Sequence, residues 1–245
     1  MKIYAHRGAS SDFPEMTRAA FEGGITQGAD GFECDLRLTS DNVVVAWHDA
    51  DLMRCAGSSL KIATSTYEQL RAAYPIMTLG EILALAMAHK KGLALETKHP
   101  VPTSGAIERE VVKILNEKKL EISESGIDIA LMSFSWQAVR RARRMGFSAV
   151  YLSAHSSSYQ LLRFFNRFRF HESLGRRPHS KSGALSYGPS MSAFRKFAAH
   201  RTRIFVWTVD EIADAQLCLE RSVDVLITNK PGLIRRSLED SSGHI

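Results

Sequence analysis

Apolar residues along this chain fall into two alternating kinds of run. Short, nearly continuous apolar stretches at 2–6, 31–38, 43–48, 93–98, 128–134, 149–153, 184–187, 203–209 and 224–228 read as strands. Between them lie stretches with apolar residues at helical spacing, at 17–28, 78–90, 105–118, 135–146, 157–170, 190–200 and 211–221, and a short helix closes the chain. Start signals agree with several of these. Thr17 and Ser135 are placed as N-caps, Gly28 stands near a helix end, and Thr78-Leu79-Gly80-Glu81 has the spacing of a capping box. The turn Thr39-Ser40-Asp41-Asn42 joins two strands so closely that they should form an antiparallel hairpin or an irregular corner. Residues 49–77 show no clear period and read as a loop or small insertion.

Strands alternating with helices predict a parallel sheet covered by helices, an α/β fold. At 245 residues the chain suits a single (β/α)₈ TIM barrel domain spanning 1–245, somewhat irregular, with a short insertion after the third strand. Nine candidate strands compete for eight places, so one is not a stave. An open doubly wound sheet is the rival architecture, and the absence of GxGxxG or a P-loop after the first strand argues against it.

Composition narrows the picture in three ways. No stretch of about 18 apolar residues is available for a membrane span, and Met1–Gly8 lacks the apolar run of a signal sequence. Cys34, Cys55 and Cys218 are odd in number and show no CxxC spacing, which predicts neither disulfide framework nor zinc cluster and fits a reducing cytoplasm. Net charge is +6, but residues 140–181 hold ten Lys or Arg against one acid, Glu172, and the remainder has 22 basic and 25 acidic residues. Any case for an anionic partner therefore rests on that segment.

In a parallel barrel the site lies at the C-terminal ends of the strands. His6 and Arg7 end the first strand, Glu33 and Asp35 share one face of the second, and His48 ends the next. Glu96 and Lys98 end a further strand, and Trp207 lies in a late one. Buried ionisable groups are tolerable only when they compensate one another. Three carboxylates against two fixed cations leave an excess of negative charge. A divalent cation taking oxygens from Glu33, Asp35 and Glu96 would correct it, and an anionic substrate, phosphate above all, would meet the metal, Arg7 and Lys98. Each pair taken alone could equally be a structural ion pair or a hydrogen-bonded strand-end residue; the convergence on one end of the sheet carries the reading.

His6-Arg7-Gly8, Pro14-Glu15, Glu33-x-Asp35, His48-Asp49 and Glu96-x-Lys98 resemble, in order and spacing, the glycerophosphodiester phosphodiesterase family. Ser133-Phe134, Trp207-Thr208-Val209-Asp210 and Ile227-Thr228-Asn229-x-Pro231 extend the similarity to about residues 3–232. The resemblance implies a phosphatidylinositol-phospholipase-C-like barrel and assigns Glu33, Asp35 and Glu96 to Mg²⁺ or Ca²⁺. It assigns His6 and His48 to general acid and base work, and Arg7 and Lys98 to the phosphate; Trp207 joins the substrate-binding set. Glu15 matches a position near the metal. The implied reaction releases glycerol 3-phosphate and an alcohol from a small-molecule phosphodiester. Two departures stand out: Met16 replaces the family's usual Asn, and the insertion after the His-Asp motif is short.

Two other classes compete: a lysophospholipase-D-like enzyme or lyase acting on lipid phosphodiesters, and a non-catalytic barrel that binds phosphodiesters. The second should have lost a histidine or an acidic ligand, and none is missing. In 157–181, Leu161, Leu162, Phe164, Phe165 and Phe168 alternate with Arg163, Arg167 and Arg169. This is either an outer helix with a solvated loop or a patch for weak contact with an anionic membrane surface. No nucleic-acid module accompanies the charge, so nucleic acid is not an expected partner.

Overall fold

The fold is built on nine strands among the described residues: β1 (Lys2–His6), β2 (Gly31–Leu38), β3 (Val44–Ala46), β4 (Gly92–Thr97), β5 (Ile129–Ser133), β6 (Ala149–Ser153), β7 (Leu185–Pro189), β8 (Phe205–Val206) and β9 (Val225–Thr228). The computed structural model describes residues 1–99, 105–154, 185–195 and 203–242. Eight strands run parallel in the order β7-β6-β5-β4-β2-β1-β9-β8. The ring closes where Tyr187 bridges Ile204 and Ser190 bridges Trp207, both in parallel sense. β3 is the strand without a stave's place: it folds back antiparallel on the upper end of β2, Leu36 opposite Ala46.

Helices cover the outside: α1 (Arg18–Thr26), α2 (Met53–Ala56), α3 (Tyr67–Ala73), α4 (Leu79–Ala88), α5 (Ala106–Glu117), α6 (Lys119–Ser125), α7 (Trp136–Arg144), α8 (Met191–Phe194), α9 (Ile212–Glu220) and α10 (Pro231–Ser242). The caps form as the spacing predicts. Thr17 accepts from Ala20 N, Ser135 from Ala138 N, and both bonds of the Thr78–Glu81 box are present. No helix among the described residues is long and apolar enough to cross a membrane. The basic segment 157–181 lies outside the described residues, as do residues 196–200 of the helix expected over 190–200.

The structure corrects three expectations. The strand expected over 203–209 is reduced to β8, because beyond Val206 the chain keeps isolated bonds, Trp207 N to Pro189 O and Val209 N to Ile227 O, in place of a continuous ladder. A second helix, α6, follows α5. Residues 49–77 are not a bare loop. They form α2, a 3₁₀ turn (Ile62–Thr64) and α3, and Trp47, Leu52, Ile62, Leu70 and Ile76 pack into a small core of their own. The signal for α3 was local: Thr66-Tyr67-Glu68-Gln69 closes a second capping box, Gln69 Oε1 accepting from Thr66 N at 2.9 Å.

Strand alternation divides the core into two layers. Ala5, Phe32, Cys34, Leu36, Leu93 and Leu95 face the helices and are buried with them, so Cys34 is inert core as its position predicts. Tyr4, Ala94, Ala130, Met132, Val150, Phe205 and Ile227 fill the barrel interior below the mouth. The Tyr4 ring fits there only because its neighbours lack side chains: a Cβ on Gly92 would stand 2.0 Å from Tyr4 Oη, and one on Gly31 2.6 Å from the ring. Gly92→Ala is therefore expected to destabilise the protein by ~1–3 kcal/mol through overpacking. Gly80→Ala in α4, where the nearest atom is 3.9 Å away, should be neutral or stabilise by roughly 0.5 kcal/mol. Urea unfolding of the two variants against the parent checks both signs.

Candidate active site

Strand register assembles the site. β1 and β2 pair with His6 beside Glu33, and β2 and β4 pair with Asp35 beside Glu96. Because alternate side chains point to the same face, Glu33, Asp35, Glu96 and Lys98 all turn inward at the C-terminal mouth. One oxygen from each of Glu33, Asp35 and Glu96 lies within 4.8 Å of the others. That spacing suits a single dication at the usual oxygen–metal distances of about 2.0–2.6 Å.

Two cations counter the trio. Lys98 Nζ stands 2.7 Å from Asp35 Oδ1 and 2.8 Å from Glu96 Oε1, and Arg7 Nε stands 2.9 Å from Asp35 Oδ2. The charge is not balanced. Burial, then the charges of Asp35 and Glu96, hold the Glu33 carboxyl well above the usual carboxylate range. Burial, then Asp35, pushes Glu96 up to about 7. Asp35 goes the other way: burial opposes ionisation, but Lys98 and Arg7 outweigh it. Glu33 Oε2 is buried with no hydrogen-bond donor. A buried carboxyl oxygen without a donor, inside a three-carboxylate cage, is what a hard divalent cation would satisfy, so the donor set fits Mg²⁺ or Ca²⁺.

His6 is held from behind. Asn229 Nδ2 donates to Asp210 Oδ2 at 2.6 Å, which turns Asn229 Oδ1 toward the His6 ring, 2.7 Å from Nδ1. Ser10 Oγ donates to the same oxygen at 2.8 Å. Since Oδ1 can only accept, His6 carries its proton on Nδ1, and the bare Nε2 faces the carboxylates, 3.7 Å from Glu33 Oε2. Burial, then the Arg7 charge, lowers the His6 pKa and keeps the ring neutral. The motifs around Asp210 and Asn229 thus act together: Asp210 also accepts from Thr228 Oγ1 and Asn229 N, tying the end of β9 to the chain that follows β8.

His48 arrives on the loop after β3. Its Nδ1 lies 2.6 Å from Asp49 Oδ1, and its side chain lines the same cavity as Glu96 and Lys98. Asp49 is fixed in turn by Arg54 of α2, whose Nε donates to Asp49 Oδ2 at 2.6 Å. The same guanidinium donates to Glu15 at 2.6 and 3.1 Å, and Glu15 accepts from Arg7 at 3.3 Å. A chain of charges therefore runs Arg7–Glu15–Arg54–Asp49–His48 around the mouth. Glu15 pairs with guanidinium groups instead of joining the acidic trio. Arg54 escapes a reading of strand ends because it sits in the insertion, and only its place six residues after His48 hinted at contact.

Three further placements complete the mouth. Trp207 Nε1 donates to Gly188 O at 2.8 Å, and its ring meets Phe134 edge-on at 5.4 Å. Glu108 of α5, fully buried, receives His99 Nε2 at 2.6 Å and stands 3.3 Å from Arg141, which anchors the segment after Lys98. Met16 has a φ of 61°, a left-handed conformation that Asn tolerates better than Met; its side chain is buried in the outer core and its N–H bonds Arg7 O at 3.0 Å.

Comparison with known proteins agrees with the fold. The model of the Glycerophosphoryl diester phosphodiesterase family matches residues 6–233. Probable glycerophosphodiester phosphodiesterase 1 of Mycobacterium tuberculosis is 28% identical over 275 residues, spanning 97% of this chain and 92% of that protein. The glycerophosphodiester phosphodiesterase of Caldanaerobacter subterraneus subsp. tengcongensis is 24% identical over 254 residues, 94% of each chain. Among solved structures, the Thermotoga maritima glycerophosphodiester phosphodiesterase superposes with a TM-score of 0.75 at 24% identity, covering 96% of this chain and 97% of that one. An Oleispira antarctica phosphodiesterase, solved with the product sn-glycerol-3-phosphate, gives a TM-score of 0.75 at 19% identity, covering 98% and 97%. At these identities the structural likenesses speak for the fold, a barrel of eight parallel strands. The family match, running from the first catalytic-end residue of β1 into α10, identifies this chain as a member of the glycerophosphoryl diester phosphodiesterase family.

Proposed function

We propose that this protein hydrolyses glycerophosphodiesters to glycerol 3-phosphate and an alcohol at a site that uses a divalent cation, Mg²⁺ or Ca²⁺, and the histidine pair His6 and His48. The observation that carries this is the convergence of Glu33, Asp35 and Glu96 within 4.8 Å, with Arg7 and Lys98 in ion-pair contact with them. The relatives' names and the product in the Oleispira structure support the choice of substrate.

Glu33, Asp35 and Glu96 would hold the ion, which when bound supplies Lewis-acid stabilisation of charge on the phosphoryl oxygens. Arg7 and Lys98 bind the non-bridging oxygens of the phosphodiester and stabilise the charge that grows there. Of the two imidazoles, one takes the proton of the nucleophile and the other protonates the leaving alkoxide. Asn229 and Asp49 each hold an Nδ1 proton in place, so both rings offer Nε2 to the reaction. The nucleophile is water or the glycerol 2-hydroxyl; the second route passes through a cyclic phosphate. Trp207 and Phe134 form an apolar wall at the mouth against which the substrate's carbon atoms can pack.

Metal dependence, melting and the kinetics of single variants test this reading. Hydrolysis of glycerophosphodiesters should vanish in EDTA and return with Mg²⁺ or Ca²⁺; full activity in EDTA removes the metal from the account. The ion should also raise the melting temperature of the parent and not of Glu33→Gln, a readout independent of turnover. His6→Ala and His48→Ala should each lower kcat by about 10²–10⁴, and unchanged rates would remove the acid–base pair. Arg54→Ala should lower kcat by about tenfold, with KM little changed, because it acts through Asp49 on His48. In the His48→Ala background the same change should then cost almost nothing; an equal loss in both backgrounds makes Arg54 a merely structural residue.

A further inference from the structure

β2 carries one more inward position than the acidic trio uses. Glu33 and Asp35 are followed, two residues on, by Arg37, which the alternation places on the same inner face, one step nearer the mouth. Its side chain is half-buried, and its Nε and Nη2 both donate to the backbone carbonyl of His48, at 3.0 and 2.7 Å. Among the described residues it forms no ion pair. The carboxylates that act on it are, in order of effect, Asp35, Asp49, Glu96 and Asp51. Each is already engaged: Asp35 by Arg7 and Lys98, Asp49 by His48 and Arg54, Glu96 by Lys98, and Asp51 by the backbone N–H of Met53.

Arg37 lines a cavity of about 330 Å³ that opens beside the trio, together with His48, Asp49, Glu96, Lys98 and Phe134; its two carboxylates are already paired, Asp49 with Arg54 and Glu96 with Lys98. The cavity therefore shares Glu96 and Lys98 with the reaction site and is large enough for one small organic group. The His48 carbonyl takes one N–H each from Nε and Nη2, and the remaining N–H groups of this half-buried guanidinium have no carboxylate in ion-pair reach among the described residues, so a ligand could supply their acceptor. The two halves of a glycerophosphodiester differ here: glycerol is neutral and constant, whereas the esterified alcohol varies in charge.

We propose that Arg37 is a specificity-determining residue, and that this cavity selects alcohols rich in oxygen acceptors, polyols such as glycerol or inositol, over alcohols bearing an ammonium group. The inference rests on the diesterase reading of the same site and adds the class of alcohol to it. The guanidinium offers directed N–H donors to hydroxyl oxygens and repels a cationic head group. Phe134 is the aromatic hydrocarbon ring of the lining, and one ring is too little to cage a quaternary ammonium.

The test compares kcat/KM of the metal-loaded parent on glycerophosphoglycerol, glycerophosphoinositol, glycerophosphocholine and glycerophosphoethanolamine. The two polyol diesters are expected to be cleaved at least about tenfold more efficiently than the two ammonium diesters, as befits a site built around a hydrogen bond that one class lacks. Arg37→Gln should bring the two classes to within about threefold of each other, whatever it does to the absolute rate through the His48 carbonyl, while Arg37→Lys, which keeps the charge, should retain their order. Equal rates in the parent, or faster cleavage of glycerophosphocholine, overturn the inference and leave the diesterase reading standing. Preference unchanged in Arg37→Gln overturns it also. Cleavage of none of the four removes the diesterase reading and this inference with it. The comparison within the parent stands even where a variant fails to fold.

Discussion

Three carboxylates held within 4.8 Å of one another repel, and burial makes the repulsion worse. The fold tolerates them because adjacent parallel strands force the geometry and because Lys98 and Arg7 are placed to share it. Even so, Glu33 and Glu96 are pushed toward protonation while Asp35 alone is held ionised. Replacing such a cluster by apolar residues of equal volume would be expected to leave a barrel of this kind as stable or more so. Its presence is therefore explained by chemistry at the mouth rather than by folding, and much of the surrounding structure can be understood as support for it.

That support comes in two arms. On one side, Asp210 and Asn229 lock the tautomer of His6 from outside the barrel, joining the segment after β8 to the end of β9. On the other, Arg54 reaches from the insertion after β3 to hold Asp49 and Glu15 at once, and through them touches both His48 and Arg7. The insertion can do this because it has a core of its own around Trp47, Leu52 and Leu70. A flexible loop would have to order Arg54 anew each time a substrate bound, at a cost in side-chain entropy. The packed insertion settles that cost on folding.

The apolar parts follow a simpler rule. Outward residues of the strands meet the helices, inward ones fill the barrel, and the boundary between packing and chemistry falls at the height of Ala94 and Glu96 on β4. Below it, Tyr4 occupies space left by Gly31 and Gly92. Above it, every inward position on β1, β2 and β4 is ionisable: His6, Glu33, Asp35, Arg37, Glu96 and Lys98.

The one-dimensional pattern was enough to predict a parallel sheet covered by helices, the caps at Thr17, Thr78 and Ser135, the buried outward setting of Cys34, and the end of the strands at which the acidic residues gather. These depend on period and on local hydrogen bonding, both written in neighbouring residues. It was also enough to nominate the trio, because two-residue spacing on a strand guarantees a shared face. What the sequence could not decide is everything that depends on register and closure. That Asp35 stands beside Glu96, that Asn229 reaches His6 across 223 positions, that Glu15 answers guanidinium groups rather than the acidic cage, and that Arg37 is left without a carboxylate are facts about chain segments brought together late. No local period encodes which strand lies beside which. Only the closed sheet does, because inter-strand hydrogen bonding sets those neighbours and the side chains then find whatever charges the ring has put next to them.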